Sequence, residues 1–211
     1  MNNLADLRQS YTRGKLSESQ VNQDPIKQFN KWFKQAQLAK CPEPNAMTLA
    51  TATLDGIPSA RTVLLKGISE GNFVFYTNYE SQKGFELIAN PQASLLFYWH
   101  ELERQVRIDG VASKTTSDMS NEYYESRPLG SKIGAWASPQ SAVIPDRSFL
   151  EKEEKSFLKK WGEHPPRPAH WGGFILNPLR IEFWQGRPSR LHDRILFVNE
   201  KNSWNIVRLA P

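Results

Sequence analysis

A mainly β protein of α+β type, a barrel of short antiparallel strands decorated by helices, is the fold this sequence predicts. Three observations point there. Beyond residue 45 the chain breaks into short stretches of alternating or β-branched and aromatic residues, punctuated by Gly, Asn and Pro turns. Helical periodicity is confined to a few separate segments. The order lacks the strand–helix alternation of a doubly wound sheet, and no G-x-G-x-x-G run is present, which argues against a nicotinamide-binding fold.

Residues 1–22 are polar and without a clear period, and read as a flexible arm with at most a short helix; residues 23–211 read as one domain. Asp24 before Pro25 is an N-cap followed by proline at the first helical position. Ile26, Phe29, Phe33 and Ala36 then recur at helical spacing to about Lys40, where Pro42 and Pro44 stop the helix. Strands follow over 46–53, 57–68 and 72–77, with turns at Asp55-Gly56 and Glu70-Gly71. Ser81–Ala89 reads as a short helix, and strands return over 93–99 and 103–114. Ser117–Ser126 reads as a helix closed by Pro128, with Ser131 as the cap of the next through Trp136. Asp146–Trp161 is another, with Ser148 and Glu151 spaced as a capping box. The remaining strands are 172–177, 179–184, 191–199 and 203–209.

The net charge of +5 and the pI near 9.3 imply attraction to anions. Plain solubility, nucleic acid and small phosphorylated ligands are all compatible with it. The Lys and Arg residues are scattered and form no nucleic-acid motif, so no nucleic-acid partner is expected. Cys41 is the single cysteine, so no intrachain disulfide can form and no oxidising compartment is implied. The opening MNNLADLRQSYTRG lacks the apolar segment of a secretory signal, and no stretch reaches membrane-spanning length. A cytoplasmic protein is the expectation. The four histidines lack ligand-like pairing, so no metal site is expected. Nor does any nucleophile–base pattern stand in a recognisable context, which directs attention to a bound cofactor.

Three basic clusters could meet an anion. In Arg190-Leu191-His192-Asp193-Arg194, period-two geometry would put Arg190, His192 and Arg194 on one strand face. A solvated face balanced by Asp193 and a ligand-binding face both satisfy that pattern. Tyr123 and Arg127 stand one helical turn apart, and Ser131 opens the next helix; ordinary capping and a phosphate cradle at a helix N-terminus are both open. Arg61 and Lys66 would lie on opposite faces of an unbroken strand. Tyr76, Thr77, Ser81 and Lys83 add further donors.

Taken together, the blocks RTVLLK (61–66), FYTN (75–78), LERQV (102–106), SRP (126–128), IGAW (133–136), QS (140–141), WGG (171–173), IEFWQG (181–186), RLHDR (190–194) and RLAP (208–211) resemble the pyridoxine (pyridoxamine) 5′-phosphate oxidases. They run in order through nearly the whole chain. The resemblance implies an FMN-binding split β-barrel with peripheral helices, and a homodimer with FMN sites at its interface. It implies oxidation of pyridoxine 5′-phosphate or pyridoxamine 5′-phosphate to pyridoxal 5′-phosphate, with dioxygen as acceptor and hydrogen peroxide as product. FMN contacts fall on Arg61, Val63, Leu64, Lys66, Tyr76, Thr77, Lys83, Gln105, Gln140, Ser141, Trp184 and Arg194. Substrate contacts fall on Lys66, Tyr123, Arg127 and Ser131 around the phosphate, with Arg190 and His192 at the ring as the catalytic pair. Arg8 and Tyr11 match positions that close over the substrate, which makes the arm a lid. One departure stands out: Gln82 occupies a position where the family usually carries Arg. Losing a charge-assisted bond to the FMN phosphate would cost about 1–2 kcal/mol of affinity unless another cation compensates.

Overall fold

A computed structural model describes residues 3–7, 10–201 and 203–211; Arg8 lies outside them. Nine antiparallel strands form one curled sheet. β1 (Ala46–Ala52) pairs with β2 (Pro58–Leu64) and with β5 (Gln92–Trp99), and β5 pairs with β6 (Arg104–Lys114). Along one edge, β7 (Trp171–Gln185) pairs with β6 from Phe174 to Gln185. Along its other edge, the first half of β7 meets β4 (Asn72–Asn78) and the second half meets β8 (Asp193–Glu200). β3 (Gly67–Ser69) extends from β4, and β9 (Ser203–Leu209) from β8. That parting of β4 from β8 gives the split barrel, as expected.

Two strands expected at 172–177 and 179–184 are therefore one. Pro178 does not end it, because the register shifts at Asp109/Gly110: Gly110 faces Pro178 while Asp109 faces Arg180, leaving Leu179 as the extra residue of a bulge. A Cβ on Gly110 would lie 2.1 Å from the Asn177 carbonyl oxygen, so the close approach requires glycine. The single strand expected over 57–68 instead breaks after Leu64. Leu65 and Lys66 form a connector that donates from the Lys66 amide to the Val74 carbonyl at 2.8 Å.

The barrel core is aromatic. Helix α1 (Pro25–Leu38), capped by the Asp24 carboxylate, buries Phe29, Trp32 and Ala36. Phe29 meets Phe73 and Phe97 edge-on at 5.1 Å each, a geometry the ring quadrupoles favour. The stretch expected to be a flexible arm contributes to this body too, with Leu16 and Val21 buried in the core. Four more helices sit at the periphery: α2 (Gln82–Ala89), α3 (Ser117–Glu125), α4 (Leu129–Ala137) and α5 (Arg147–Trp161). Two expected caps are corrected. Asp146, not Ser148, caps α5, accepting from the Phe149 amide at 3.1 Å, so no Ser148–Glu151 capping box forms. Ser131 is the third residue of α4, whose N-cap is Pro128. Among the described residues no helix is long and apolar enough to cross a membrane, and no cluster of metal-ligating residues forms.

Candidate functional site: a cavity and a second cluster

A cavity of about 670 Å³ opens where β2, β4 and helices α2 to α4 converge. Val63, Leu64 and Lys66 border one side, Tyr76, Thr77 and Lys83 another, and Tyr123, Arg127, Ser131 and Gln140 the remainder. Ten residues expected at a ligand thus share one hollow.

Two cations, Lys83 buried and Arg127 half-buried, define its electrostatics. Lys83 follows Ser81, the N-cap of α2, and is only 8% exposed. Its ammonium contacts Ser81 Oγ at 3.2 Å, Thr77 Oγ1 at 3.3 Å and Gln140 Oε1 at 3.3 Å, all neutral oxygens. Burial, and then the nearby Arg61 guanidinium, push its pKa below the usual lysine value, while Glu86 opposes them. At the other end, Arg127 lies just past α3, its guanidinium carbon 4.4 Å from the centroid of Trp171. Its Nη1 is buried without a hydrogen-bond partner, and burial lowers its pKa. Among the described residues no carboxylate pairs with Lys83, Lys66 or Arg127. A buried cation lacking an anion is costly. The donor set therefore fits anionic groups, such as the phosphate of a flavin mononucleotide.

Flat rings line the same cavity. Tyr76 and Tyr123 stack at 4.0 Å with 19° between planes, and Tyr76 stacks on Trp171 at 5.6 Å and 10°. Lys66 Nζ stands 5.9 Å from the Tyr123 centroid. Trp171 was not among the expected site residues; its signal was the WGG block, with two glycines that admit Tyr79 and Tyr76 against β7.

Arg61 does not border the hollow. It turns to Glu86, 3.3 Å away, in a network with Thr51 and Ser59. Gln82 Nε2 donates to the other oxygen of Glu86 at 2.9 Å, so the residue departing from the family pattern joins the same network. Ser141 is exposed beside Gln140 with φ of 74°.

The other expected residues gather at the far end of β7. Gln105 faces Trp184 across β6 and β7, and Trp184 faces Arg194 across β7 and β8. His192 packs on Trp184 at 4.6 Å, and Tyr11 meets both rings edge-on at 5.7 Å. The single-strand reading of Arg190 to Arg194 is overturned. Pro188–Arg190 forms a 3-10 turn, Arg190 has φ of 62°, and β8 starts only at Asp193. Arg190 and Arg194 therefore do not share a face by period two. The Arg187 amide donates to His192 Nδ1 at 3.1 Å. A backbone N–H can only donate, so Nδ1 accepts and the proton of neutral His192 sits on Nε2. Burial, then the Arg190 charge, lower the His192 pKa. Glu182, buried and unassigned in the sequence, holds Arg194 and Arg107.

Trp171 borders the cavity and Trp184 anchors the second cluster, thirteen residues along the same strand, or about 40 Å of contour.

Comparison with known proteins fits this arrangement. Residues 33–157 match the pyridoxamine 5′-phosphate oxidase family, and residues 171–211 the pyridoxine 5′-phosphate oxidase C-terminal dimerisation region. Proteins named pyridoxine/pyridoxamine 5′-phosphate oxidase from Polynucleobacter asymbioticus and Cupriavidus pinatubonensis are 59% and 60% identical, over 100% of both chains in each case. The crystal structure of PhzG from Burkholderia lata, in complex with tetrahydrophenazine-1-carboxylic acid, superposes with a TM-score of 0.88 at 32% identity, covering 93% of this chain and 98% of that one. An FMN-binding protein from Nostoc punctiforme shares the fold, with a TM-score of 0.69 at 16% identity over 87% of this chain and 97% of that one. The chain belongs to the pyridoxamine 5′-phosphate oxidase family.

Proposed function

We propose that the chain is a cytoplasmic, FMN-dependent oxidase that converts pyridoxine 5′-phosphate or pyridoxamine 5′-phosphate to pyridoxal 5′-phosphate. The observation that carries this reading is that Lys83, buried, and Arg127, half-buried with its Nη1 unpartnered, line one cavity with stacked aromatic rings and no paired carboxylate. Lys83, with Thr77 and Gln140, would hold the FMN phosphate. Arg127, Lys66, Tyr123 and Ser131 would hold the substrate phosphate. FMN, when bound, accepts the two electrons taken from C4′, and dioxygen restores it with release of hydrogen peroxide; the amine's imine product hydrolyses to the aldehyde.

A single copy carries the two halves of the site at opposite ends of β7, so we read the working unit as a homodimer. Gln105, Trp184, Arg190, His192 and Arg194 of the partner subunit would complete each cavity. His192 would present its Nε2 proton to the substrate's oxygen substituent, and Arg190 would cover the open face of the ring. The chain's work is chiefly geometric: two phosphate anchors set the ring's position, and rigid aromatic walls exclude water.

Anaerobic mixing of FMN-loaded protein with pyridoxamine 5′-phosphate tests the reading. Loss of the yellow flavin colour is expected. Persistent colour with both B6 phosphates, but bleaching by tetrahydrophenazine-1-carboxylic acid, would place the chain's reaction with PhzG-type ligands instead.

A further inference from the structure

Asp193 is an acid set among bases, and period two alone would leave it as a solvent-side counter-charge. Its carboxylate faces inward instead, at the meeting of three segments. Oδ2 accepts from the Leu16 amide at 3.0 Å, 177 residues away in sequence, and Oδ1 accepts from Arg208 Nη1 at 2.9 Å. Arg187 Nε approaches Oδ2 at 3.5 Å. Both arginines reach onward to the N-terminal segment: Arg187 Nη1 donates to the Gly14 carbonyl at 2.9 Å, and Arg208 pairs with Glu18 at 2.8 Å. The Arg187 amide is also the donor to His192 Nδ1.

We propose that Asp193 is a positioning residue: it clamps the N-terminal segment to the Arg187–His192 loop, so that Tyr11 and His192 meet the substrate as one unit. Three features require such a clamp. Ser189 and Arg190 hold left-handed φ values of 55° and 62°, which non-glycine residues keep only when their surroundings over-determine them. The Tyr11 ring meets Trp184 and His192 just before the stretch in which Arg13, Gly14 and Leu16 bond to Glu103, Arg187 and Asp193. Finally, two carboxylates, Asp193 and Glu18, balance two guanidiniums, Arg187 and Arg208, so the junction is neutral although it joins distant segments.

The proposal rests on the oxidase reading for its kinetic consequence but not for its structural one, so the test carries two readouts on the FMN-loaded dimer. In Asp193→Ala, backbone hydrogen exchange over residues 10–18 should quicken about tenfold, one lost charge-assisted bond's worth. KM for pyridoxine 5′-phosphate should rise about tenfold while kcat and FMN retention stay within about threefold. Asp193→Asn, which keeps an acceptor for the Leu16 amide, should recover part of both effects. Unchanged exchange overturns the clamp; quickened exchange without a change in KM overturns its role in positioning. If Asp193→Ala does not fold, Glu18→Gln should show the same exchange effect more weakly, and its absence counts against the clamp. Wild-type enzyme inert towards both B6 phosphates would sink the oxidase reading while leaving the exchange result to judge the clamp.

Discussion

Glu182 grips Arg194 through two parallel hydrogen bonds, Nε to Oε1 at 2.7 Å and Nη2 to Oε2 at 3.1 Å. The same carboxylate meets Arg107 Nη2 at 3.0 Å and is only 3% exposed. The hydrogen bond to Glu182 is the main reason that the Arg194 pKa lies above its ordinary value. Glu182→Gln would leave two guanidiniums side by side with one neutral amide. A loss of about 2–3 kcal/mol is expected, at the low end for a broken buried pair because both arginines are partly exposed. Urea denaturation of the apoprotein checks it.

Arg127 should not be replaceable by lysine. Its planar guanidinium lies over Trp171 while leaving Nη1 pointed at no protein acceptor, and an ammonium offers neither the stack nor the fork. In Arg127→Lys we expect KM for pyridoxine 5′-phosphate to rise about 10- to 100-fold, the worth of a hydrogen bond to a charged group. Unphosphorylated pyridoxine should be turned over equally by both proteins. Steady-state kinetics with the two substrates separates these outcomes.

Lys83 is expected to stabilise the holoprotein and burden the apoprotein. Burial lowers its folded-state pKa from 10.5, so between that lowered value and 10.5 the unfolded chain holds more protons. Its cost to the apoprotein is therefore full below the folded pKa and fades as pH rises towards 10.5. Lys83→Met should leave apoprotein melting no lower than wild type near neutral pH, yet weaken FMN binding about 10- to 100-fold. A melting point that falls in apoprotein and holoprotein alike would contradict the assignment.

Much of this architecture could be read locally. Asp24-Pro25 starts α1 because a carboxylate can cap free amides, and Ser81 starts α2 for the same reason. Where the reading failed, distant contacts overrode the local pattern. Ser189 and Arg190 are not residues that signal a left-handed backbone; the Asp193 junction is formed by Leu16, 177 residues away, and by Arg208 on the neighbouring strand. Pro178 resembles a strand breaker, but the bulge opposite Gly110 absorbs it. Ten cavity residues were legible through resemblance, whereas Trp171 was missed because stacking on Tyr76 depends on strand register. The placing of the two clusters at opposite ends of β7 is likewise a property of the folded sheet.

His192 gives a pH dependence with a definite sign. Its folded pKa lies below 6.5, so as pH falls from about 6.5 the unfolded chain takes up the proton first and stability is lost through that window. Protonation also puts a hydrogen on Nδ1, where the Arg187 amide now donates, and so breaks that contact. Imidazole ¹⁵N spectra should show an unprotonated Nδ1 at neutral pH. His192→Gln should flatten the acid limb of the stability profile while retaining a side-chain donor, and a wild-type Nδ1 that carries the proton would refute the tautomer.

Subunit complementation decides whether the two clusters meet across an interface. Arg127→Ala disables the cavity of its own subunit, and Arg194→Ala disables only what that subunit lends to its partner. Homodimers of either variant then hold two defective sites. In a mixed dimer the four halves sort differently: one site receives both substitutions and the other receives neither. Unfolding and refolding an equal mixture should make half of the dimers mixed, each with one native site, and so restore about a quarter of wild-type activity. If each chain instead built its site from its own Arg127 and Arg194, no mixture could exceed the activity of the two variants measured apart. The 40 Å contour between Trp171 and Trp184 makes recovery the expected result.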